Sequence, residues 1–147
     1  MFAGEFAAHE GRPRKNNLRG AISEAAFMAG LVRNSDIVVM SAYAPLLAKA
    51  GASQWAPDLI WFDNTPVYGT PSYHVQALFS IHRPDTYVPS KIEGPPVTLP
   101  PLPRNAIATY GAEPEEPYRP ASVPLLFVAA GRDEDAGEIV IFVANPL

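Results

Sequence analysis

The 147-residue sequence contains no cysteine, which excludes disulfide bonds and thiolate metal sites but does not indicate a compartment. Basic residues are also few: 11 Lys and Arg stand against 15 Asp and Glu, the net charge is −4, and no Lys/Arg run occurs. Nucleic acid and anionic membranes are therefore not expected partners. No apolar run approaches the roughly 20 residues of a membrane span. The opening residues have no basic start and are interrupted by Glu5, so they do not form a signal peptide pattern.

The hydrophobic share of 48% is that of a globular protein, and the length suits one domain or two small pieces. A functional-looking segment begins almost at Met1, without any structure leading into it. We therefore expect a chain that is truncated at its N-terminus.

The stretch Asn17–Leu47 organises the chain, because it combines an amphipathic helix with a buried strand. Asn17 is a plausible N-cap, and Asn34 is suited to a left-handed position at the end of the helix. Asp36 opens a continuously apolar run, expected to be a parallel strand buried on both faces. With a short buried strand at Phe2–Ala8, the order is strand, helix, strand, which predicts a βαβ unit. The apolar helix positions recur at three- and four-residue steps: Leu18, Ala21, Ile22, Ala25, Met28, Ala29 and Val32.

The second half is predicted to be less regular. Pro45–Asp58 is expected to be a connection, Asp58–Asn64 a short strand or extended loop, and Pro71–His82 a second helix. Prolines are dense from Pro84 to Pro124, a composition typical of an extended linker. Two strand-like runs follow, Leu125–Ala130 and Glu138–Ala144, and the polar sequence GRDEDAG between them predicts a hairpin.

Four segments in one order carry a family resemblance: GEFA (4–7), AISEAAFMAGLVRNSDIVVMSAYAPLL (21–47), WAPDLIWFDN (55–64) and YGTPSYHVQALFS (68–80). The chain resembles the C-terminal part of the α-L-arabinofuranosidases of glycoside hydrolase family 51, in the branch found in plants, fungi and many bacteria. The implied fold class is α/β. Residues 1–88 would be the last strands and helices of a (β/α)₈ barrel. Residues 89–124 would form a Pro-rich linker, and residues 125–147 the start of a C-terminal β-sandwich.

The resemblance implies that Glu5 is the catalytic nucleophile, at the C-terminal end of the seventh barrel strand, where barrel active sites lie. Retaining glycosidases use two carboxyl groups roughly 5–5.5 Å apart. The family's acid/base glutamate lies in an Asn-Glu pair, and this sequence contains no Asn-Glu pair. A smaller departure is Phe6, where the family usually has tyrosine. Without the family context, Glu5 would be a strand-end carboxylate with a structural partner.

Three further residues are candidates for sugar binding: Tyr43 after the second strand, Trp55 in a loop, and His9 after the Glu5 strand. Packing is the alternative role for each. Glu24 is expected to be a structural or solvated residue on the helix face away from the apolar stripe. His74 and His82 are expected at the surface or in the core. No metal-ligand spacing, phosphate loop or dinucleotide fingerprint occurs, so we predict no metal and no cofactor.

The sequence is compatible with three functional hypotheses. The first is an incomplete arabinofuranosidase, whose parent cleaves arabinose-containing oligo- or polysaccharides and whose open strands demand an oligomer or the missing N-terminal half. The second is a non-catalytic carbohydrate-binding or assembly module. The third is an active enzyme assembled from two polypeptides, in which the other chain supplies the remaining barrel strands.

Overall fold

The computed structural model describes residues 1–9, 16–98 and 122–146. These ranges contain two helices, α1 (Leu18–Arg33) and α2 (Pro71–Ile81), and neither is long and apolar enough to cross a membrane. The same ranges contain the following strands: β1 (Phe2–Phe6), β2 (Met40–Tyr43), β3 (Leu47–Lys49), β4 (Ile60–Phe62), β5 (Val67–Gly69), β6 (Thr86–Val88), β7 (Val97–Thr98), β8 (Ser122–Val123), β9 (Phe127–Asp133) and β10 (Glu138–Ala144).

The predicted βαβ unit is confirmed, because β1 pairs in parallel with β2 and α1 connects them. The predicted N-cap is also confirmed: the Gly20 N–H donates to Asn17 Oδ1 at 2.8 Å. The prediction for Asn34 was wrong, since its φ is −111° and therefore not left-handed. The Asn34 backbone N–H instead donates to the Gly30 carbonyl at 3.2 Å, and its side-chain amide donates to the same oxygen at 2.7 Å.

The predicted burial of both strands of this unit was wrong. Phe2 in β1 is 55% exposed, and Met40 in β2 is 60% exposed. The second strand was predicted to begin at Asp36 but begins at Met40, and Asp36 lies in the turn that follows α1. The physical reason is the sheet topology: within the described residues β1 and β2 pair only with each other, so nothing covers their outer edges. A complete barrel is not seen in the described ranges, and the barrel assignment stays a proposal.

A second small sheet has the order β3-β4-β5, with β3 parallel to β4 and β4 antiparallel to β5. Two of its strands were not predicted, since β3 lies in the expected connection and no element was predicted where β5 lies. β4 resolves the ambiguity over Asp58–Asn64 in favour of a strand. The helix predicted at Pro71–His82 is confirmed as α2, which begins after the N-cap Thr70.

The predicted C-terminal hairpin is confirmed as β9 and β10, with a turn that is shorter than GRDEDAG because β9 runs on to Asp133. β6 pairs with the other edge of β9 and completes a three-stranded sheet. β7 pairs with β8, and residues 99–121 of the predicted linker lie outside the described residues. The division at residues 88 and 124 stays a prediction.

The core lies between α1, α2 and the β9–β10 hairpin. Alanines allow the helix and sheet to approach closely: Ala21 and Ala129 are fully buried, and Ala29 is 1% exposed. Phe79 of α2 stacks on Phe142 of β10 at 4.1 Å between ring centroids, so the hairpin is fixed to the helix layer.

Candidate active site

Glu5 lies at a distorted point of β1. Its φ is +49°, and the pairing with β2 shifts register between Ala3 and Phe6. A non-glycine residue in the left-handed region is uncommon, and bulges of this kind redirect a side chain out of the strand. The Glu5 side chain is exposed. The local backbone therefore turns this carboxylate into solvent at the C-terminal end of a parallel strand.

Aromatic rings pack directly beside Glu5. Phe6 lies 5.0 Å from Phe27 of α1 and 5.8 Å from Tyr43, measured between ring centroids. Phe6 is also the β-sheet partner of Tyr43, so the C-terminal ends of β1 and β2 meet at one edge. Tyr43 is only 9% exposed, an environment that matches the packing role considered for it.

Glu24, which was expected to be structural or solvated, is a buried carboxylate that contacts the segment following Glu5. It is 3% exposed, and the Ala8 backbone N–H donates to its Oε1 at 2.8 Å. Burial raises the pKa of Glu24 above 4.5, while the Ala8 N–H and the nearby hydroxyls of Ser72 and Tyr43 lower it. Ala21, Met28 and Ala29 of the predicted apolar stripe are buried, but Leu18 at its start is 66% exposed and Glu24 lies on the buried side of the helix. In the sequence, the feature that could have indicated burial at position 24 is a single carboxylate among small helix residues.

The hydroxyl of Tyr43 belongs to the same polar cluster. Burial and the neighbouring Glu24 carboxylate raise the pKa of Tyr43 to about 12. In the described part of the chain, neither Glu24 Oε2 nor the Tyr43 hydroxyl makes a hydrogen bond of good geometry. These groups are close enough to influence each other's pKa, yet they retain hydrogen-bonding capacity.

Asn16 connects this cluster to the loop that carries Trp55. Its Oδ1 accepts hydrogen bonds from the Asp58 backbone N–H at 3.0 Å and from Trp61 Nε1 at 3.3 Å. Asp58 is 1% exposed, and burial raises its pKa above 3.8, while the Ser53 hydroxyl lowers it. The Ser53 hydroxyl also donates to the Trp55 carbonyl at 2.7 Å, which shapes the loop.

The remaining candidates lie at the surface. Trp55 is 56% exposed, so its ring is accessible to a ligand. His9 is exposed and follows Ala8 directly, and His74 and His82 are exposed on and after α2. Across residues 1–9, 16–98 and 122–146, no group of three or more His, Asp or Glu side chains is arranged to hold a metal ion.

A sequence model of the alpha-L-arabinofuranosidase C-terminal domain matches residues 4–135. The chain belongs to this family. The resemblance to the glycoside hydrolase family 51 α-L-arabinofuranosidases is thereby confirmed, and solved and curated relatives agree with it. A solved structure of the arabinose-bound MgGH51 α-L-arabinofuranosidase aligns with 97% of this chain at a TM-score of 0.72 and 31% identity.

Among curated relatives, the extracellular exo-alpha-L-arabinofuranosidase of Streptomyces chartreusis is 48% identical over 91 residues. Alpha-L-arabinofuranosidase 2 of Arabidopsis thaliana is 42% identical over 93 residues. These alignments cover 62% and 63% of this chain. The chain spans only 10% of the Streptomyces protein, 14% of the Arabidopsis protein and 20% of the solved MgGH51 chain. The relatives are therefore much longer than the segment of each that aligns with this chain.

Proposed function

We propose that this chain supplies the nucleophile-bearing segment of a retaining α-L-arabinofuranosidase, with Glu5 as the nucleophile. The observation that carries the proposal is the position of Glu5, an exposed carboxylate in a left-handed bend at the C-terminal end of a parallel strand. The names of the relatives support an arabinose-containing substrate. The proposed reaction removes terminal, non-reducing α-L-arabinofuranosyl residues from arabinosides and hemicellulose.

In this reaction the Glu5 carboxylate attacks the anomeric carbon and forms a covalent glycosyl–enzyme intermediate. A second carboxyl group must protonate the leaving oxygen and later activate water. The sequence has no Asn-Glu pair to supply that group. The chain alone is therefore expected to be inactive in turnover, and the acid/base glutamate belongs to a further segment. That segment would also complete the barrel of which residues 1–88 are proposed to be the last part.

Two exposed residues, Trp55 and His9, are proposed to contact the sugar. Trp55 presents an accessible indole ring, and aromatic faces offer an apolar surface to a sugar ring. His9 lies four residues beyond Glu5 and is also exposed. Tyr43 is buried together with its hydroxyl, so its proposed contribution is limited to the packing of Phe6.

A non-catalytic assembly module is the alternative, and exposed apolar residues favour it. Val39, the residue before β2, is 78% exposed, Val67 of β5 is 70% exposed and Ile141 of β10 is 60% exposed. Large apolar side chains exposed in this way are suited to contact with another polypeptide. The alternative would hold if Glu5 could be replaced without loss of any activity that the assembled protein has.

A chimera tests the proposal. The stretch of the Streptomyces chartreusis enzyme that aligns with this chain would be replaced by the present sequence, and hydrolysis of a chromogenic α-L-arabinofuranoside would be measured. We expect the chimera to turn over, and Glu5→Gln to reduce turnover to the level of the blank. Asp36→Asn, which alters an exposed carboxylate in the turn after α1, is the matched control and should retain activity. An active Glu5→Gln chimera would refute the assignment.

A further inference from the structure

A buried carboxylate holds the segment that follows Glu5. Glu24 lies in the middle of α1 and is 3% exposed, and its Oε1 accepts a hydrogen bond from the Ala8 backbone N–H at 2.8 Å. Burying a carboxylate is costly unless hydrogen bonds compensate for the lost water. The Ala8 N–H is such a compensating donor, and it lies only three residues beyond Glu5.

The helix surface is shaped to receive Ala8. Gly20 lies one turn before Glu24, and a Cβ atom at Gly20 would lie 3.6 Å from the Ala8 side chain and 3.9 Å from the Ala8 carbonyl oxygen. Ala8 therefore rests against the helix at the point where the helix has no side chain. On its other side the segment has a weaker tie, since the Ala44 N–H donates to the Phe6 carbonyl at 3.4 Å.

The Glu24 carboxylate also lies near two other elements. The hydroxyls of Tyr43 at the end of β2 and Ser72 in the first turn of α2 both lie close to this carboxylate. Ser72 is 2% exposed, so the contact is inside the protein. One carboxyl group thus lies among the ends of β1 and β2 and the beginning of α2.

We propose that Glu24 is a positioning residue, which fixes Ala8 and thereby holds the left-handed bend that presents Glu5 at the end of β1. The role of Glu5 as nucleophile rests on the function proposed above. The effect of Glu24 on the backbone does not depend on that function. The bend requires an anchor because a non-glycine residue at positive φ persists only where its surroundings hold it.

Amide hydrogen exchange measured by NMR on the full chain tests this proposal. Glu24→Gln retains an oxygen that can accept from Ala8, Glu24→Leu retains much of the volume without an acceptor, and Glu24→Asp retains the charge but withdraws it by one methylene. We expect the Ala8 amide to exchange about tenfold faster in the Leu and Asp variants, and near the wild-type rate in the Gln variant. Amides of the β9–β10 hairpin are the internal reference and should not change.

Three results would overturn the proposal: unchanged Ala8 exchange in the Asp variant, acceleration of hairpin amides to the same degree, or failure of the Gln variant to recover the wild-type rate. If the Leu variant does not fold, the Asp and Gln variants decide. The arabinofuranosidase chimera separates the two proposals. A local response at Ala8 together with an inactive wild-type chimera would support positioning by Glu24 and refute the nucleophile assignment. Both proposals would be supported by an active chimera in which Glu24→Asp lowers turnover and Glu24→Gln leaves turnover near the level of the unsubstituted chimera.

Discussion

Replacing Glu24 by glutamine is expected to flatten the pH dependence of the free energy of unfolding. Burial raises the pKa of Glu24 in the folded chain above its ordinary value of 4.5. Below pH 4.5 the carboxyl group is protonated in both states, so burial carries no ionisation penalty. As the pH rises from there towards the raised folded pKa, the unfolded chain releases this proton first, and the folded state loses stability.

The size of the effect follows from proton linkage. One proton bound only by the folded state changes the free energy of unfolding by at most about 1.4 kcal/mol per pH unit. The Ala8 N–H and the hydroxyls of Ser72 and Tyr43 favour the ionised form, so they limit the width of the pH range over which this slope acts. Glutamine does not ionise, and its side chain can still accept from Ala8 and donate to a hydroxyl. The variant should therefore lose the contribution of Glu24 to the slope, retain the contribution of buried Asp58, and keep the fold.

The assay is urea unfolding, followed by tryptophan fluorescence, at several pH values from 4.5 to neutrality. Tyr43→Phe is the matched control, because Tyr43 has a pKa of about 12 and does not titrate in this range. The control should keep a pH slope at least as steep as that of the wild type, since one hydroxyl that favours ionised Glu24 is gone. Equal slopes for wild type and Glu24→Gln would refute the reasoning.

Three substitutions elsewhere test the packing and the capping. Gly131→Ala should destabilise the chain by about 1–3 kcal/mol, because its Cβ would lie 2.4 Å from Pro84 Cγ and 2.9 Å from the Thr86 carbonyl oxygen. Gly30→Ala should stabilise it by roughly 0.5–1 kcal/mol, because this helical position has nothing within 4 Å. Asn17→Ala should cost about 1 kcal/mol through loss of the N-cap hydrogen bond. Urea midpoints measure all three, and a Gly131→Ala chain as stable as the wild type would contradict the close approach of Pro84.

The local signals in the sequence predicted the elements whose structure is locally determined. Asn17 begins α1 as expected, because capping depends on one side chain and the first helical turn. The hairpin β9–β10 also follows from local features, namely two apolar runs and a polar turn with Gly137 at φ +70°. The family resemblance added the order of the elements and drew attention to Glu5.

Long-range contacts account for what the sequence did not predict. β3 and β5 have three residues each and exist as strands because β4 lies between them, so no periodicity marked them. The burial of Glu24 depends on Ala8, Ser72 and Tyr43, which lie far from it in sequence. Both β1 and β2 were predicted to be buried because their sequences are apolar. Apolar composition does not show which other residues would cover a strand, and the described residues leave Phe2 and Met40 exposed.

The most direct test of the central claim is to trap the glycosyl–enzyme intermediate. The arabinofuranosidase chimera would carry Gln in place of the glutamate of its Asn-Glu pair, and it would be incubated with an arabinofuranoside whose leaving group departs without protonation. Without a base to activate water, the covalent intermediate should accumulate. Peptide mapping by mass spectrometry is predicted to find the arabinosyl group on Glu5. A sugar attached to another carboxylate, or no adduct while the parent Streptomyces enzyme treated identically forms one, would contradict the account.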